Sequence, residues 1–426
     1  MVVNNAISHD ARVLKSATTL SRAGADVTVF GASSDGSGWH AGAGAEAFRR
    51  LPVLPPRAVT AAYVLWAARR RIARLAPASA WRRSLPATRY YRRAFVPALS
   101  ALDPDVVHVH DIHALAAVVE YAAAAPRAVR VVYDAHEYVP GLAVGGARTA
   151  RAVTGWAALE REYIRQADRV ITVAPGIAEV LRETYNLPAL PHVVYNAPVA
   201  GDFASPLSLR VEAGIDADVP LAVYSGALSA ARGVDTAIAA LAHLPGVHLA
   251  VVAVPFPHPF SVQLREQAEQ LGVADRLHLV PPVASINVPS YLSTADVAIS
   301  PILPISSSYD MALPNKLFEF LHAGLPIVVS DCKAMAEFVT THGVGRSFRA
   351  GDARDLARVA GEVLAAPPQV DTSALRREYS WQSQEQRLVD AYDDLVPGLV
   401  APTAPFPPEI KLDWTRNEAS SAAQPS

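Results

Sequence analysis

Residues 313–330 read LPNKLFEFLHAGLPIVVS, and the parsing of this stretch decides the fold. Pro314 suits the first turn of a helix, where its missing N–H costs nothing. Gly324-Leu325-Pro326 ends that helix and feeds a short buried strand, Pro326–Ser330. Upstream, Val297–Ser300 is another brief apolar run, so the whole reads strand, helix, strand. Brief Val-rich strands of this kind belong to parallel sheets covered on both faces.

The same alternation extends outward in both directions. Towards the N-terminus of this half lie strands at Leu221–Tyr224, His248–Val252 and Leu277–Val280, with helices after Gly233, near Ser261–Leu271 and near Pro289–Thr294. Before them, about twenty residues containing Pro206 and Pro220 break the periodicity after Asn196-Ala197-Pro198 and read as a linker. Earlier still, strands are predicted at Met1–Val3, Asp26–Phe30, Asp105–Val109, Val129–Tyr133, Arg169–Val173 and Val193–Tyr195. Their helices run from about Asp10 to Arg22, near Ala114–Ala123, near Trp156–Gln166 and from Pro175. Met1-Val2-Val3 is short for an internal strand, and residues missing before Met1 would account for that.

The predicted fold is therefore α/β, with two doubly wound, Rossmann-like domains facing across a cleft, where open α/β sheets bind ligands. The expected divisions are 1–198, 199–379, a helix at 380–398 crossing back to the first domain as a hinge, and a disordered Pro-rich tail at 399–426. At 426 residues, 51% of them hydrophobic, the chain is large enough for two cores. A formal charge of −2 gives no global field for nucleic acid, and the single cysteine, Cys332, leaves no intrachain disulfide. No apolar run of 18 residues and no signal-peptide pattern appears, so a cytoplasmic location is expected.

In the second half, two helix entrances suit a phosphate. At the first, Pro314 leaves backbone N–H groups free, Asn315 and Lys316 lie in the same turn, and Glu319 follows three residues later on the same face. A carboxylate there can accept both ribose hydroxyls while the helix end holds a diphosphate. The second, YSGALSAARG at 224–233, is a strand, a small-residue loop at Gly226 and a basic residue, Arg232, at a helix entrance. A solvated Lys316–Glu319 pair and an ordinary tight turn at Gly226 are the plainer readings of the same residues.

These blocks, in their order along the chain, resemble the GT-B glycosyltransferases of family 4. They comprise DARV at 10–13, DVVHVHD at 105–111, YDAHE at 133–137, ADRVITV at 167–173, Tyr195-Asn196, the Arg232-Gly233 loop and Pro314–Glu319. The resemblance implies a nucleotide-sugar donor in the C-terminal half, with Arg232 on its diphosphate and Glu319 on its ribose, and an acceptor in the N-terminal half. It implies His136 as the residue touching the donor sugar or reacting centre, Asp111 as a hydroxyl ligand, and transfer with retention of anomeric configuration. Two positions depart from the family pattern. Ala227 stands where many members carry Arg after the loop glycine, and Met311 stands at the first of two glutamates usually eight positions apart. Asp310 lies beside Met311 as a candidate sugar contact, and Lys316 supplies an extra charge that can replace the lost Arg.

In the N-terminal half, His110-Asp111 and His136-Glu137 each close a predicted strand and face the cleft, which makes His110 and Glu137 candidate sugar or acceptor contacts. His108 and His110 alternate on their strand, which casts His108 as a core residue. The first loop adds Asn5 and Asp10, the latter equally an N-cap. No metal is expected: Asp103-Pro104-Asp105 precedes its strand rather than following it, and Arg232, Lys316 and a helix N-terminus can carry the leaving-group charge. No cofactor is implied, since the nucleotide sugar is a substrate.

Between Ala47 and Leu102 there is no Asp or Glu, yet Arg recurs at 49, 50, 57, 69, 70, 71, 74, 82, 83, 89, 92 and 93, interspersed with Tyr63, Trp66 and Trp81. That pattern suits a helical hairpin lying on an anionic membrane at its inner face, or a solvated face beside an acidic or lipid-linked acceptor. Two other readings stay open on the residues alone: a degenerate, non-catalytic nucleotide- or glycan-binding scaffold, and a nucleotide-sugar 2-epimerase.

Overall fold

The computed structural model of the protein describes residues 1–5, 7, 10–32, 38–42, 81–85, 87–145, 148–201, 205 and 207–407. In chain order the first half holds β1 (Val2–Val3), α1 (Ala11–Arg22), β2 (Thr28–Ala32), β3 (Gly38–Gly42), α2 (Trp81–Ser84), α3 (Ala87–Leu102), β4 (Val106–His110), α4 (Leu115–Ala124), β5 (Arg130–Ala135), α5 (Ala150–Tyr163), β6 (Arg169–Thr172), α6 (Pro175–Tyr185) and β7 (His192–Val193). The second half holds α7 (Leu209–Ala213), β8 (Leu221–Gly226), α8 (Val234–Leu241), β9 (His248–Ala253), α9 (Ser261–Gln270), β10 (Leu277–Val280), α10 (Val288–Leu292), β11 (Val297–Ser300), α11 (Ser307–Met311), α12 (Asn315–Ala323), β12 (Ile327–Ser330), α13 (Lys333–Thr341), β13 (Gly345–Phe348) and α14 (Ala353–Ala365). After them come α15 (Ser373–Glu378) and α16 (Trp381–Asp390).

Local chemistry explains the boundaries. Asp10 caps α1 by accepting the Val13 N–H at 3.2 Å, satisfying one donor that a helix start leaves free. Asn186 and Gly324 end α6 and α12 in the left-handed region. Along the strands, alternate residues enter opposite layers. Val107, Val109 and Tyr133 join one layer with Phe95, Leu115 and Leu159, whereas Val3, Val29 and Val132 join the other with Val13, Leu20 and Trp381. Each such fully buried aliphatic side chain contributes about 1.5–3 kcal/mol.

The first sheet has seven strands in the order β3-β2-β1-β4-β5-β6-β7, all parallel except the antiparallel β2–β3 edge pair. The second has six parallel strands in the order β10-β9-β8-β11-β12-β13. Both are doubly wound, with strand order reversing at β1/β4 and at β8/β11. The loops at those reversals are the ligand-binding positions of open α/β sheets. β1 is central yet only two residues long.

Helix α16 returns to the first sheet. Trp381 is fully buried and its Nε1–H donates to Thr19 Oγ1 at 3.0 Å, while Thr19 and Arg22 both donate to Glu385 Oε1. The helix expected near Trp156–Gln166 begins earlier, because Thr149 caps it by accepting the Ala152 N–H.

The first part of the expected disordered tail is ordered. Phe406 is 3% exposed, Arg22 lies over its ring at 5.4 Å, and the Val400 N–H reaches the Ala23 carbonyl. Residues 408–426, and most of the Arg-rich stretch at 43–80, lie outside the described residues. No described helix is long and apolar enough to cross a membrane.

Candidate functional site

The loop after β8 is shaped by two glycines. Gly226 has φ +127°, and a β-carbon there would lie 3.1 Å from Lys316 Nζ. Gly233 has φ +66°, and a β-carbon would sit 1.9 Å from the Pro301 carbonyl oxygen. Only glycine permits both the backbone conformation and the close approach. The Tyr224 hydroxyl donates to the Ala227 carbonyl at 2.6 Å and pins the loop. Arg232 is half-buried and stacks over Tyr309, 5.1 Å from the ring centroid.

Helix α12 enters beside this loop with no side-chain cap, so its first backbone N–H groups have no such partner. Lys316, 8% exposed, points its Nζ over the Tyr224 ring at 3.9 Å, and that nitrogen has no hydrogen-bond partner. Burial pushes the Lys316 ammonium well below the ordinary lysine value, and the Arg232 charge pushes it further; Glu319 pulls the other way. Glu319 is half-buried, its carboxyl raised by burial against the opposing pull of Lys316 and of Lys15 on α1. Lys316 therefore feels the charges of both Arg232 and Glu319, and Glu319 also feels that of Lys15 on α1. Across the gap, burial and Asp111 raise the Glu137 carboxyl, while Arg148, His136 and Arg232 lower it. The phosphate-suited elements of the second sheet thus look towards the strand ends of the first.

In the first half, the side chains converge on Asp134, which is 1% exposed. Arg12 holds both its oxygens, Nε at 2.7 Å and Nη2 at 2.8 Å, and anchors itself on the Val194 carbonyl through Nη1 at 2.7 Å. His110 Nδ1 lies 3.3 Å from Asp134 Oδ2, His136 Nε2 at 3.6 Å and His108 Nε2 at 3.7 Å. Burial would raise the Asp134 carboxyl, but Arg12 and the histidines hold it well below the usual range. Burial lowers His108 to about 3 and also lowers His110, which favours the neutral form of each ring. His136, 22% exposed, goes the other way: burial opposes its charge, yet the Asp134 carboxylate outweighs burial and raises it.

His108, His110 and Asp134 bring three ligand-type atoms within 4.8 Å of one another. Both carboxylate oxygens already accept from Arg12, and a guanidinium in that position opposes a dication. The Arg12–Asp134 pair and the His110–His136 contact tie the cluster together, and the Tyr392 hydroxyl lies 2.6 Å from His108 Nδ1, while His108 Nε2 and His110 Nε2 have no hydrogen-bond partner.

Several sequence-based expectations are corrected. His110 is fully buried and so does not reach the gap; it lies behind His136, its Nδ1 3.3 Å from His136 Nε2. His108 and His110 do not point to opposite faces, because residues two apart on a strand share one, and their rings stack at 4.1 Å. Asp310 is engaged in a structural contact, its carboxylate accepting the Lys333 N–H at 2.7 Å at the start of α13. Asp10 is the α1 cap and receives the Asn5 Nδ2–H at 2.8 Å, so this pair organises its own loop.

The other candidates lie where a ligand could meet them. Asn315 is exposed at the α12 entrance, and Asp111 and Glu137 are half-buried at the ends of β4 and β5. Asp111 adopts φ +65°, strained for a non-glycine residue, and accepts the Ile112 N–H at 2.7 Å. Burial works against its charge, but His113, His136 and that N–H keep the carboxyl below its ordinary value. Sequence reasoning missed Asp134, Arg12 and Lys15. Arg12 and Asp134 stood inside quoted motifs, but nothing in one sequence pairs residues 122 positions apart.

Residues 11–197 match the family model described as Glycosyltransferase Family 4, and residues 219–366 match Glycosyl transferases group 1. The D-inositol 3-phosphate glycosyltransferase of Xylanimonas cellulosilytica is 27% identical over 317 residues, covering 72% of this chain and 70% of the relative. The protein of the same name from Mycobacteroides abscessus is 23% identical over 254 residues, 58% of this chain; the match spans only 56% of that relative. Among solved structures, sucrose-phosphate synthase from Thermosynechococcus elongatus superposes with TM-score 0.60 at 18% identity, covering 72% of this chain and 78% of the other. Anabaena HepE in complex with UDP-glucose gives TM-score 0.56 at 18% identity, covering 71% and 82%. These structures share the GT-B architecture of two facing doubly wound sheets.

Proposed function

From the premise that this chain belongs to the family 4, group 1 glycosyltransferases of GT-B fold, we propose that it moves a sugar from a nucleoside-diphosphate donor to a hydroxyl acceptor, with retention at the anomeric carbon and without a metal. The observation that carries this reading is Lys316: a side-chain amine 8% exposed, with no hydrogen-bond partner, beside a glycine loop and an uncapped helix entrance. A buried charge without a partner is costly unless a ligand completes it. A diphosphate does so, and Arg232 and the α12 N–H groups add to the same pole. Because negative charge grows on the diphosphate as the glycosyl bond breaks, these groups bind the transition state more strongly than the ground state. Lys316 takes the place of the cation lost at Ala227.

Glu319, one helical turn on, is assigned to the ribose hydroxyls, and His136 and Asp111 to the transferred sugar. The relatives' names include D-inositol 3-phosphate. A phosphorylated acceptor, or the headgroups of an anionic bilayer at the cytoplasmic face, suits the hollow of about 520 Å³ lined by Arg89, Arg92, Arg93, Val96 and Pro97 on α3. The donor assignment is tested by thermal shift of the full chain against UDP, GDP, ADP and TDP sugars. One donor is expected to raise the melting temperature, and Glu319→Ala to abolish that rise while the apo protein stays folded. An unaltered rise in the variant refutes the ribose assignment.

A further inference from the structure

His136 is 22% exposed and turns its Nε2 inward. Its Nε2 lies 3.3 Å from His110 Nδ1 and 3.6 Å from Asp134 Oδ2. With Nε2 committed to the interior, Nδ1 is the ring nitrogen left for a ligand. Its inward neighbours are themselves immobile: Arg12 grips Asp134 through two nitrogens and is tied to Val194, and His110 is fully buried. A side chain fixed through two successive layers of contacts pays little entropy when it meets its ligand.

We infer that Asp134, locked by Arg12, is a positioning residue that holds His136 as a cationic hydrogen-bond donor, aimed through Nδ1 at a hydroxyl of the transferred sugar. The charges acting on His136 come from several elements: Asp134 on its own strand, His110 at the end of β4, Asp111 just beyond it, Arg12 on α1, and Glu137 beside it. Two carboxylates, Asp134 and Asp111, favour the charged ring, and Arg12 alone among the named causes opposes it apart from burial. Arg12 is spent on Asp134 geometrically, and the carboxylate oxygen stands between it and the imidazole. His110 stays neutral and can adapt its tautomer to a protonated neighbour. In this arrangement Asp134, held in place by Arg12, is more than a buried strut: it favours the charged form of His136, whereas burial lowers His108 and His110 near the same oxygen. An ionic donor binds a sugar hydroxyl more strongly than a neutral one.

This inference rests on the proposed contact between His136 and the donor sugar, so the test separates the two. The full chain is labelled with 13C at histidine Cε1, and the His136 resonance is assigned by its loss in His136→Gln. In the wild type its titration midpoint is expected above the ordinary histidine value of 6.5, and in Asp134→Asn the midpoint moves to lower pH. A wild-type midpoint at or below 6.5, or one that does not move in the variant, overturns the proposal. Should Asp134→Asn fail to fold with Arg12 left unpaired, the Arg12→Met/Asp134→Asn double variant removes both charges and is read the same way. In transfer assays, the variant is expected to lose roughly tenfold in kcat, with the KM for the nucleotide sugar little changed. The fall of kcat with rising pH should also begin at lower pH than in the wild type. A midpoint that moves while transfer is unaffected leaves Asp134 as the positioning residue and overturns the sugar contact of His136.

Discussion

Replacing Lys316 by Met separates a ligand-binding cation from a structural one, because the two roles predict opposite signs for the apo protein. Lys316 is 8% exposed, its Nζ lacks a hydrogen-bond partner, and its compensation is the Tyr224 ring at 3.9 Å. A buried unsatisfied donor costs about 1–3 kcal/mol, more if charged, and a cation–π contact returns about 0.5–2 kcal/mol. Methionine has similar length, fills the same volume and keeps contact with the ring, so Lys316→Met is expected to leave apo stability unchanged or to raise it by about 1–2 kcal/mol. In a protein with two lobes of some 150–250 residues that is a rise of roughly 2–8 °C. Nucleotide affinity moves the other way. A hydrogen bond to a charged group is worth about 1.5–3 kcal/mol, which is a loss of roughly 10- to 150-fold in Kd. Differential scanning fluorimetry of the apo chain and calorimetric titration with the donor identified by the thermal-shift screen measure both quantities. The pH dependence adds a further check. The folded-state value of Lys316 is depressed, so the unfolded chain binds the extra proton, and the wild type should gain stability as pH rises towards 10.5. Lys316→Met should lose that part of the slope. A variant whose melting temperature drops by several degrees while its nucleotide affinity is intact would show that Lys316 serves the core, and the diphosphate assignment would fall.

Two further outcomes follow from other parts of the molecule. Glu160 is fully buried, accepts from the Tyr133 and Tyr185 hydroxyls at 2.6 and 2.5 Å, and is pushed up by burial to about 7. Because the folded state keeps a proton that the unfolded chain loses near pH 4.5, stability should fall by up to about 3 kcal/mol between pH 4.5 and 7; Glu160→Gln should flatten that part of a urea-unfolding profile, and an unchanged slope would contradict the assignment. On the surface, Arg89 and Arg93 are exposed on α3, whereas Arg82 and Arg92 pair with Glu162 and Glu120. Charge reversal at Arg89, Arg92 and Arg93 should reduce cosedimentation with anionic liposomes, more so at low salt, and equal partitioning of variant and wild type would reject a membrane role for this face.

The fold was legible because its signals are local. Brief Val-rich strands, helix-ending glycines such as Gly324 and a proline-broken linker each act within a few residues, and their alternation leaves few topologies open. The grouping of the second lobe's candidate residues was legible for the same reason: Lys316 and Glu319 are neighbours on one helix turn, and Gly226 and Arg232 share one loop. The cluster in the first lobe was not. Asp134 became the centre of its cluster only when β4, β5 and α1 were brought together, joining Arg12, His110 and His136 across the sheet. His110 was misplaced because the residue ending a strand can still be covered by its neighbours, here by His108 stacked below and His136 above. The segment 399–407 looked disordered by composition, but Phe406 with a cation over its ring, Leu399 in the same apolar cluster and backbone contacts to α1 seat it.

Helix α11 shows how the departure at Met311 is built into the architecture. The Met311 side chain comes within 3.7 Å of the β-carbon position of Gly176 at the start of α6 and packs on the core of the first sheet. Ser307 abuts Gly141 of the same lobe. Asp310 caps α13, and Tyr309 supports Arg232. Ser307 and Met311 thus brace one lobe against the other, Tyr309 steadies a cation, and the one carboxylate of the turn, Asp310, is engaged at the start of α13. A glutamate at 311 would have to desolvate its charge against apolar side chains of the opposite lobe, at a cost of several kcal/mol. Methionine removes that cost and adds an apolar contact between the lobes. The groups that remain polar and partly exposed at this end are His136, Asp111 and Glu137, at the strand ends of the first sheet, and the proposed function gives them the sugar. On the proposed reading, the second lobe would grip the nucleotide, and the choice of sugar would fall to strand ends that the first lobe brings to it.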